Sequence, residues 1–317
     1  MKEVVAGIDI GGTNTVLGLV EKTGNIIAEG NLKTMDYPDI HDFVSTLYAT
    51  IKEMIEANPG FKLAAIGIGA PNANYHRGTI KLAPNLAWKG IVPIAELIKK
   101  KVDVAVAITN DAKAAAIGEM LFGGAKKMKD FIILTLGTGL GSGIVINGEV
   151  LYGHTGFAGE LGHTTIVPGG RDCGCGRQGC FETYGSASGL VRTVFNFLSE
   201  MKEESTLRDI PPSQLTSKMI ADAAAENDPI ALEALDYTAE MIAFGIANAI
   251  GFSSPEAVFL FGGLAQAGEL LFSPIREYVN QKVMPVYKGT VKILASGIPE
   301  NNAAVLGAAA LAWNELK

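Results

Sequence analysis

Apolar and polar positions recur with two different periods along the chain, and the switches between them mark out its elements. Residues 4–10 form an apolar, β-branched-rich run, Gly11-Gly12-Thr13-Asn14 interrupts it, and residues 16–20 resume it. That pattern predicts strand, glycine turn and strand, and Ile26-Ile27-Ala28, after Gly24-Asn25, adds a third strand to the meander. Between 39 and 57, Ile40, Phe43, Val44, Leu47, Ile51, Met54 and Ile55 fall at helical spacing. Strands are expected over 64–68, ending in Gly69-Ala70-Pro71, and over 102–108, ending in Thr109-Asn110-Asp111. An alanine-rich helix is expected over 112–121.

From Phe131 the pattern begins again: a buried-type strand over 131–136, a glycine turn over 137–143 and a strand over 144–146. The recurrence points to duplicated lobes facing one cleft. Helices are expected over 187–200, 216–225 and 229–250, the last with Asp228 as N-cap and Pro229 at its first position. Residues 203–214, with Pro211-Pro212, read as an exposed loop. A strand over 258–261 runs into Gly262-Gly263, and an apolar helix over 303–316 closes the pattern.

A chain of 317 residues suits two lobes or one large domain. With 48% hydrophobic and 19% charged residues it carries enough apolar surface for a sizeable core. The 38 glycines follow no Gly-X-Y period and are better explained by tight, backbone-lined loops. A net charge of −7 has the wrong sign for a protein that coats nucleic acid or an acidic membrane, and favours a small-molecule partner. Asp9 breaks the first apolar run, so the start does not read as a secretory signal, and no run is long enough to span a bilayer. A cytoplasmic location is expected.

Asp9-Ile10-Gly11-Gly12-Thr13-Asn14 puts a carboxylate at a strand end beside a turn whose backbone N–H groups can approach an anion, with Asp9 able to hold hydrated Mg²⁺. An ordinary hairpin turn would look the same, but the second glycine loop at 137–143 supplies what a nucleotide phosphate chain between two lobes requires. No Gly-Lys dipeptide occurs, which excludes the lysine-bearing P-loop. His163, Cys173, Cys175 and Cys180, which include every cysteine of the chain, form the inventory of a closed, structural zinc site. The alternative is a set of reduced thiols without metal. Zinc would fix Glu160 and Glu182, which flank the ligands, and orient the His163 ring. Asn110-Asp111 lies where a strand ends and a helix begins, a place for an N-cap or for ligand-binding groups. Together with Glu160 and Glu182, these side chains are the kind that bind a polyhydroxylated substrate.

In combination these motifs resemble the ROK family, and within it the bacterial glucokinases, over nearly the whole chain: Asp9-x-Gly-Gly-Thr-Asn14, Asn110-Asp111, the loop 136–143, Glu160-x-Gly-His163, the Cys-x-Cys-Gly-x-x-Gly-Cys-x-Glu182 segment, Gly262-Gly263 and the closing alanine-rich helix. The resemblance implies an α/β chain with the actin-like, hexokinase-like ATPase fold, two lobes around a central cleft. A small lobe would span 1–111 plus 303–317, and a large lobe with the zinc loop 112–302. It implies ATP-dependent phosphorylation of the 6-hydroxyl of a hexose, glucose first, in a homodimer. Asp111 would be the base, with Asn110, Asp111, Glu160, His163 and Glu182 on the sugar. Asp9, Gly11, Gly12, Thr13, Asn14, Gly137, Thr138 and Gly139 would serve Mg-ATP, Gly262 and Gly263 would border the adenine, and His163, Cys173, Cys175 and Cys180 would hold zinc.

Two positions depart from the family pattern. Asn72 stands where many members have glycine, close enough to the sugar contacts to bear on sugar preference, and Asn14 where many carry lysine. Other readings are a kinase for mannose, fructose or an N-acetylhexosamine, a kinase using polyphosphate, and a sugar-sensing transcriptional regulator of the same family. The regulator would require a DNA-binding helix-turn-helix ahead of the strand that starts at Val4.

Overall fold

The computed structural model describes residues 1–299 and 302–316. Glu300, Asn301 and Lys317, each inside an expected lobe range, lie outside the described residues. The chain divides into two compact units, each built on a five-stranded sheet.

In the first unit, β1 (Lys2–Ile10), β2 (Thr15–Val20) and β3 (Ile26–Leu32) form an antiparallel meander. After α1 (Ile40–Glu56) comes β4 (Phe61–Gly69), which pairs parallel with β1. A small sheet of β5 (Ala73–Asn74), β6 (Thr79–Lys81) and β7 (Ile91–Val92) follows, then α2 (Ile94–Lys99), β8 (Ala105–Thr109) and α3 (Asp111–Leu121). The main sheet runs in the order β3-β2-β1-β4-β8. Helix α1 forms where expected because Asp39 caps it, its side chain accepting from His41 N–H at 2.6 Å, and because Phe43, Val44, Leu47 and Ile51 bury one stripe.

The second unit repeats the plan. Its strands β9 (Phe131–Leu136), β10 (Leu140–Ile146) and β11 (Glu149–Val150) are followed by α4 (Glu182–Gly185), α5 (Ala187–Glu200), α6 (Ser217–Ala225), α7 (Pro229–Ser253), β12 (Ala257–Phe261), α8 (Glu269–Lys282) and β13 (Lys292–Ala295). The sheet order, β11-β10-β9-β12-β13, is the order of the first sheet, with a meander on one side and two parallel strands on the other. The echo between the two glycine-turn hairpins is therefore an echo of whole sheets. Asp228 caps α7 with Oδ1, which accepts from Ile230 and Ala231 N–H at 3.1 Å each, and Ser254 ends that helix at φ 47°.

The closing helix, α9 (Ala303–Asn314), belongs to the first unit and packs on β1, β4 and α3. Its approach depends on a row of glycines, Gly18, Gly7 and Gly67, aligned across β2, β1 and β4. A β-carbon on Gly7 would lie 2.7 Å from Ala309 N, and one on Gly67 2.8 Å from Ala312 N. Overpacking such a contact costs ~1–3 kcal/mol, so the glycines and the small residues of α9 are two sides of one interface.

The compact units are drawn differently from the lobes expected with a boundary at Asp111. The first unit continues to Met128, takes back residues 150–158, and resumes at Gly297. Helix α3 belongs with it because α3 packs on α9, and because buried Glu119 accepts from Gly124 N–H at 2.6 Å and Gly297 N–H at 2.8 Å. Residues 150–158 are fastened to the β5–β6 turn. Tyr152 stacks on Tyr75 with ring centroids 4.1 Å apart, His76 Nε2 lies 2.9 Å from the Gly153 carbonyl, and Asn74 Nδ2 donates to the Thr155 carbonyl at 2.7 Å. Among the described residues no helix is long and apolar enough to cross a membrane.

Candidate active site and metal centre

In the first unit, three parallel strands end together and set the chemistry at one edge. Asp9 pairs in register with Gly69, and Gly69 with Thr109. The residues that follow Thr109 are Asn110 and Asp111, at the carboxyl edge where open α/β sheets bind ligands. Asn110 is the N-cap of α3, its side chain accepting from Lys113 N–H at 2.8 Å, so the capping role is real. Asp111 is the first residue of the helix and is exposed, with Oδ1 held by Ala112 N–H at 2.9 Å.

Asp9 behaves differently. Burial, and secondarily the charge of Asp111, push its carboxyl up to about 6. The turn after β1 is closed by Gly11 N–H donating to the Asn14 carbonyl at 2.9 Å, and Thr13 and Asn14 are exposed. Asn85, which the sequence did not single out, lies on this turn: a β-carbon on Gly12 would come within 3.0 Å of Asn85 Cβ. Asn72 takes a left-handed φ of 52°, which asparagine tolerates better than most residues, so this departure from glycine has a backbone reason. Its Nδ2 donates to the Leu82 carbonyl at 3.1 Å.

In the second unit, β9 and β12 run parallel, with Phe261 opposite Thr135. The turn 137–139 and Gly262-Gly263 therefore leave the sheet side by side. Gly262 has φ 102°, and a β-carbon there would lie 2.9 Å from the Leu136 carbonyl. The turn is tied to Glu182, whose Oε2 accepts from Leu140 N–H at 3.0 Å, and a β-carbon on Gly139 would strike that carboxylate. Glu182 opens α4, held there by Phe181, whose fully buried ring packs against Gly245 of α7. Glu160 is exposed and precedes the short turn Leu161–His163 that carries His163.

His163, Cys173, Cys175 and Cys180 converge, with one ligand atom from each lying within 4.8 Å of the others. His163 Nδ1 is 3.6 Å from Cys173 Sγ, and Cys175 Sγ is 3.7 Å from Cys180 Sγ. Tetrahedral zinc, with bonds of about 2.3 Å to sulfur and 2.0–2.1 Å to nitrogen, spaces its ligands by about 3.6 Å (S to N) and 3.8 Å (S to S). The donor set fits that ion. Burial pushes the Cys173 thiol up to about 12, a cost that a bound cation would reverse. The loop is braced by Cys173 N–H donating to the Arg177 carbonyl at 2.9 Å, and by Arg177 donating to the His163 carbonyl at 3.1 Å. Cys173 Sγ also lies 3.8 Å from Glu182 Oε1, so the metal ligands, Glu182 and the 137–140 turn form one connected patch.

The sequence matches the ROK family over residues 5–315. The chain belongs to the ROK family. It is 36% identical to a glucokinase of Streptomyces coelicolor, covering 96% of each chain. The structure of a ROK family glucokinase from Streptomyces griseus, in complex with glucose and AMPPNP, superposes with a TM-score of 0.80 at 33% identity, covering 98% of this chain and 99% of that one. A xylose repressor of Caldicellulosiruptor bescii is 31% identical, covering 98% of this chain and 78% of the repressor. The α/β architecture is that of the hexokinase-like ATPase fold of this family.

Proposed function

We propose that this ROK protein is an ATP-dependent sugar kinase that transfers the γ-phosphoryl group of ATP to the 6-hydroxyl of glucose, in the cytoplasm. The observation that carries this reading is the likeness to glucokinases over nearly the full length of both chains. The repressor relative matches over a smaller share of its own length and at lower identity. The exposed carboxylate of Asp111 at a helix N-terminus gives the reading its chemistry.

Phosphoryl transfer asks a protein mainly to place the nucleophile and to offset charge on the moving group. Asp111 accepts the proton of the 6-hydroxyl as that oxygen attacks the γ-phosphorus and the bond to the ADP oxygen breaks. The Ala112 N–H fixes one carboxylate oxygen for this task. Asn110, Glu160, His163 and Glu182 bind the sugar hydroxyls. The turns Gly11-Gly12-Thr13 and Gly137-Thr138-Gly139 receive the phosphates: the Gly11 and Gly137 N–H groups close the turns onto the Asn14 and Gly139 carbonyls, the N–H groups of Gly12, Thr13, Thr138 and Gly139 serve the phosphates, Asn14 flanks them, and Gly262 and Gly263 leave room for the adenine. Asp9 would hold the magnesium that accompanies the nucleotide and offsets its charge. His163, Cys173, Cys175 and Cys180 would hold a structural zinc, with the other nitrogen of the His163 ring turned to the sugar. The active form is a homodimer.

Asp111→Asn tests the base directly. The exchange keeps the shape of the side chain and removes its basicity, so kcat is expected to fall by about 10²–10⁴-fold. Glucose affinity, measured by calorimetry, is expected to stay within a few fold. A variant that keeps most of its kcat contradicts the assignment.

A further inference from the structure

Ser142 lies in β10, three residues beyond the turn assigned to the nucleotide phosphates, and it is buried, at 2% exposure. A buried hydroxyl requires partners, and Ser142 has two on one short segment. Its Oγ donates to the Gly159 carbonyl and accepts from Leu161 N–H at 3.0 Å. Gly159 and Leu161 are the residues on either side of Glu160. The segment lies backbone-close against β10, where a β-carbon on Gly162 would collide with the Leu140 carbonyl. Glu160, itself exposed, is thus carried on a backbone gripped at both neighbours by one side chain of the sheet.

We propose that Ser142 is a positioning residue for sugar binding, whose hydroxyl aims the Glu160 carboxylate by holding Gly159 and Leu161. The proposal rests on the reading of Glu160 as a sugar ligand and extends it. It also gives the stretch from Gly139 to Ser142 a second role. Leu140 N–H holds Glu182 and Ser142 holds the Glu160 backbone, so both sugar carboxylates of this unit are set by the strand that continues the phosphate turn.

The experiment is a double-mutant cycle on the full chain, with Ser142→Ala, Glu160→Gln and the pair, assayed for glucose KM, ATP KM and kcat. Ser142→Ala removes one oxygen from a tight site without adding bulk, so the protein is expected to fold, which its Tm and metal content check. Glucose KM is expected to rise about tenfold, equivalent to ~1.4 kcal/mol, while ATP KM and kcat stay within about threefold. In the Glu160→Gln background the same exchange is expected to add no more than about twofold, because the group it aims has lost its charge. An unchanged glucose KM in Ser142→Ala overturns the proposal. So does a tenfold rise that persists in the Glu160→Gln background, or a rise in both KM values together, since either marks a general structural role. A wild-type protein that fails to phosphorylate glucose overturns the functional reading and this inference with it; an active wild type with an unaltered Ser142→Ala overturns the inference alone.

Discussion

Asp9, at the end of β1, and Asp111, just after β8, lie at the same edge of one sheet with β4 between their strands, and the structure treats the two carboxylates unequally. Asp111 is exposed and held by a helix N-terminus, whereas burial and the neighbouring charge push Asp9 up to about 6. Ionising Asp9 in the absence of a cation therefore works against folding. Its folded value lies above the unfolded carboxylate value near 4, so the folded state takes up the proton more readily, and stability is lost as pH rises from about 4 to about 6. Asp9→Asn is expected to raise Tm at pH 8 without nucleotide, with the gain shrinking as pH falls through 6 toward 4, and to raise the Mg²⁺ concentration needed for turnover. Thermal unfolding across that range checks it, and a Tm gain independent of pH would count against the role of this charge. Function held against stability in this way is common at active sites. The polar residues with local signatures, Asp9 before its glycines and Asn110-Asp111 at a strand end, were legible in the sequence. Ser142 and Asn85 were not, because their partners, Gly159 and Gly12, are distant in the chain and a serine or asparagine near glycines has no signature of its own.

The long, strongly patterned elements emerged where the periodicity placed them: α5 over Ala187–Glu200, α7 beginning at Pro229, and both glycine-turn hairpins. Short or interrupted elements escaped. The strands β5, β6 and β7 span two or three residues each, and α8 carries Pro274 inside it and follows the Gly262-Gly263 loop. The extent of the first compact unit was not legible for a tertiary reason, since nothing local records that α3 packs on α9 or that residues 150–158 return to the β5–β6 turn. The cysteine loop behaves as an element in its own right, joined to Glu182 through Cys173 and to His163 through Arg177. Freshly purified protein is expected to carry one equivalent of zinc. Stripping the zinc with a chelator is expected to lower Tm and raise glucose KM more than ATP KM, because His163 and Glu182 are the groups the loop holds. Metal well below one equivalent, or chelation without effect on glucose KM, would contradict the structural zinc.

At the scale of the whole molecule, the chain presents the same five-stranded order twice, each sheet opening with a hairpin whose glycine turn lies at the edge that carries the polar residues. The first unit supplies a carboxylate pair and a capping asparagine. The second supplies two further glutamates, a histidine and the metal ligands. A net charge of −7 offers no basic surface to attract a polyphosphate, so the proposed binding of ATP has to come from local groups. The most direct measurement is incubation of the protein with Mg-ATP and, separately, glucose, mannose, fructose, N-acetylglucosamine and N-acetylmannosamine, following ADP and identifying the phosphorylated position of the sugar by NMR. The account predicts stoichiometric ADP and glucose 6-phosphate, with glucose the preferred acceptor. Preference for another sugar of the panel would move the substrate assignment while keeping the kinase. No sugar phosphate from any of them, with glucose still bound in calorimetry, would contradict the kinase and leave a protein that senses sugar without transferring phosphate to it.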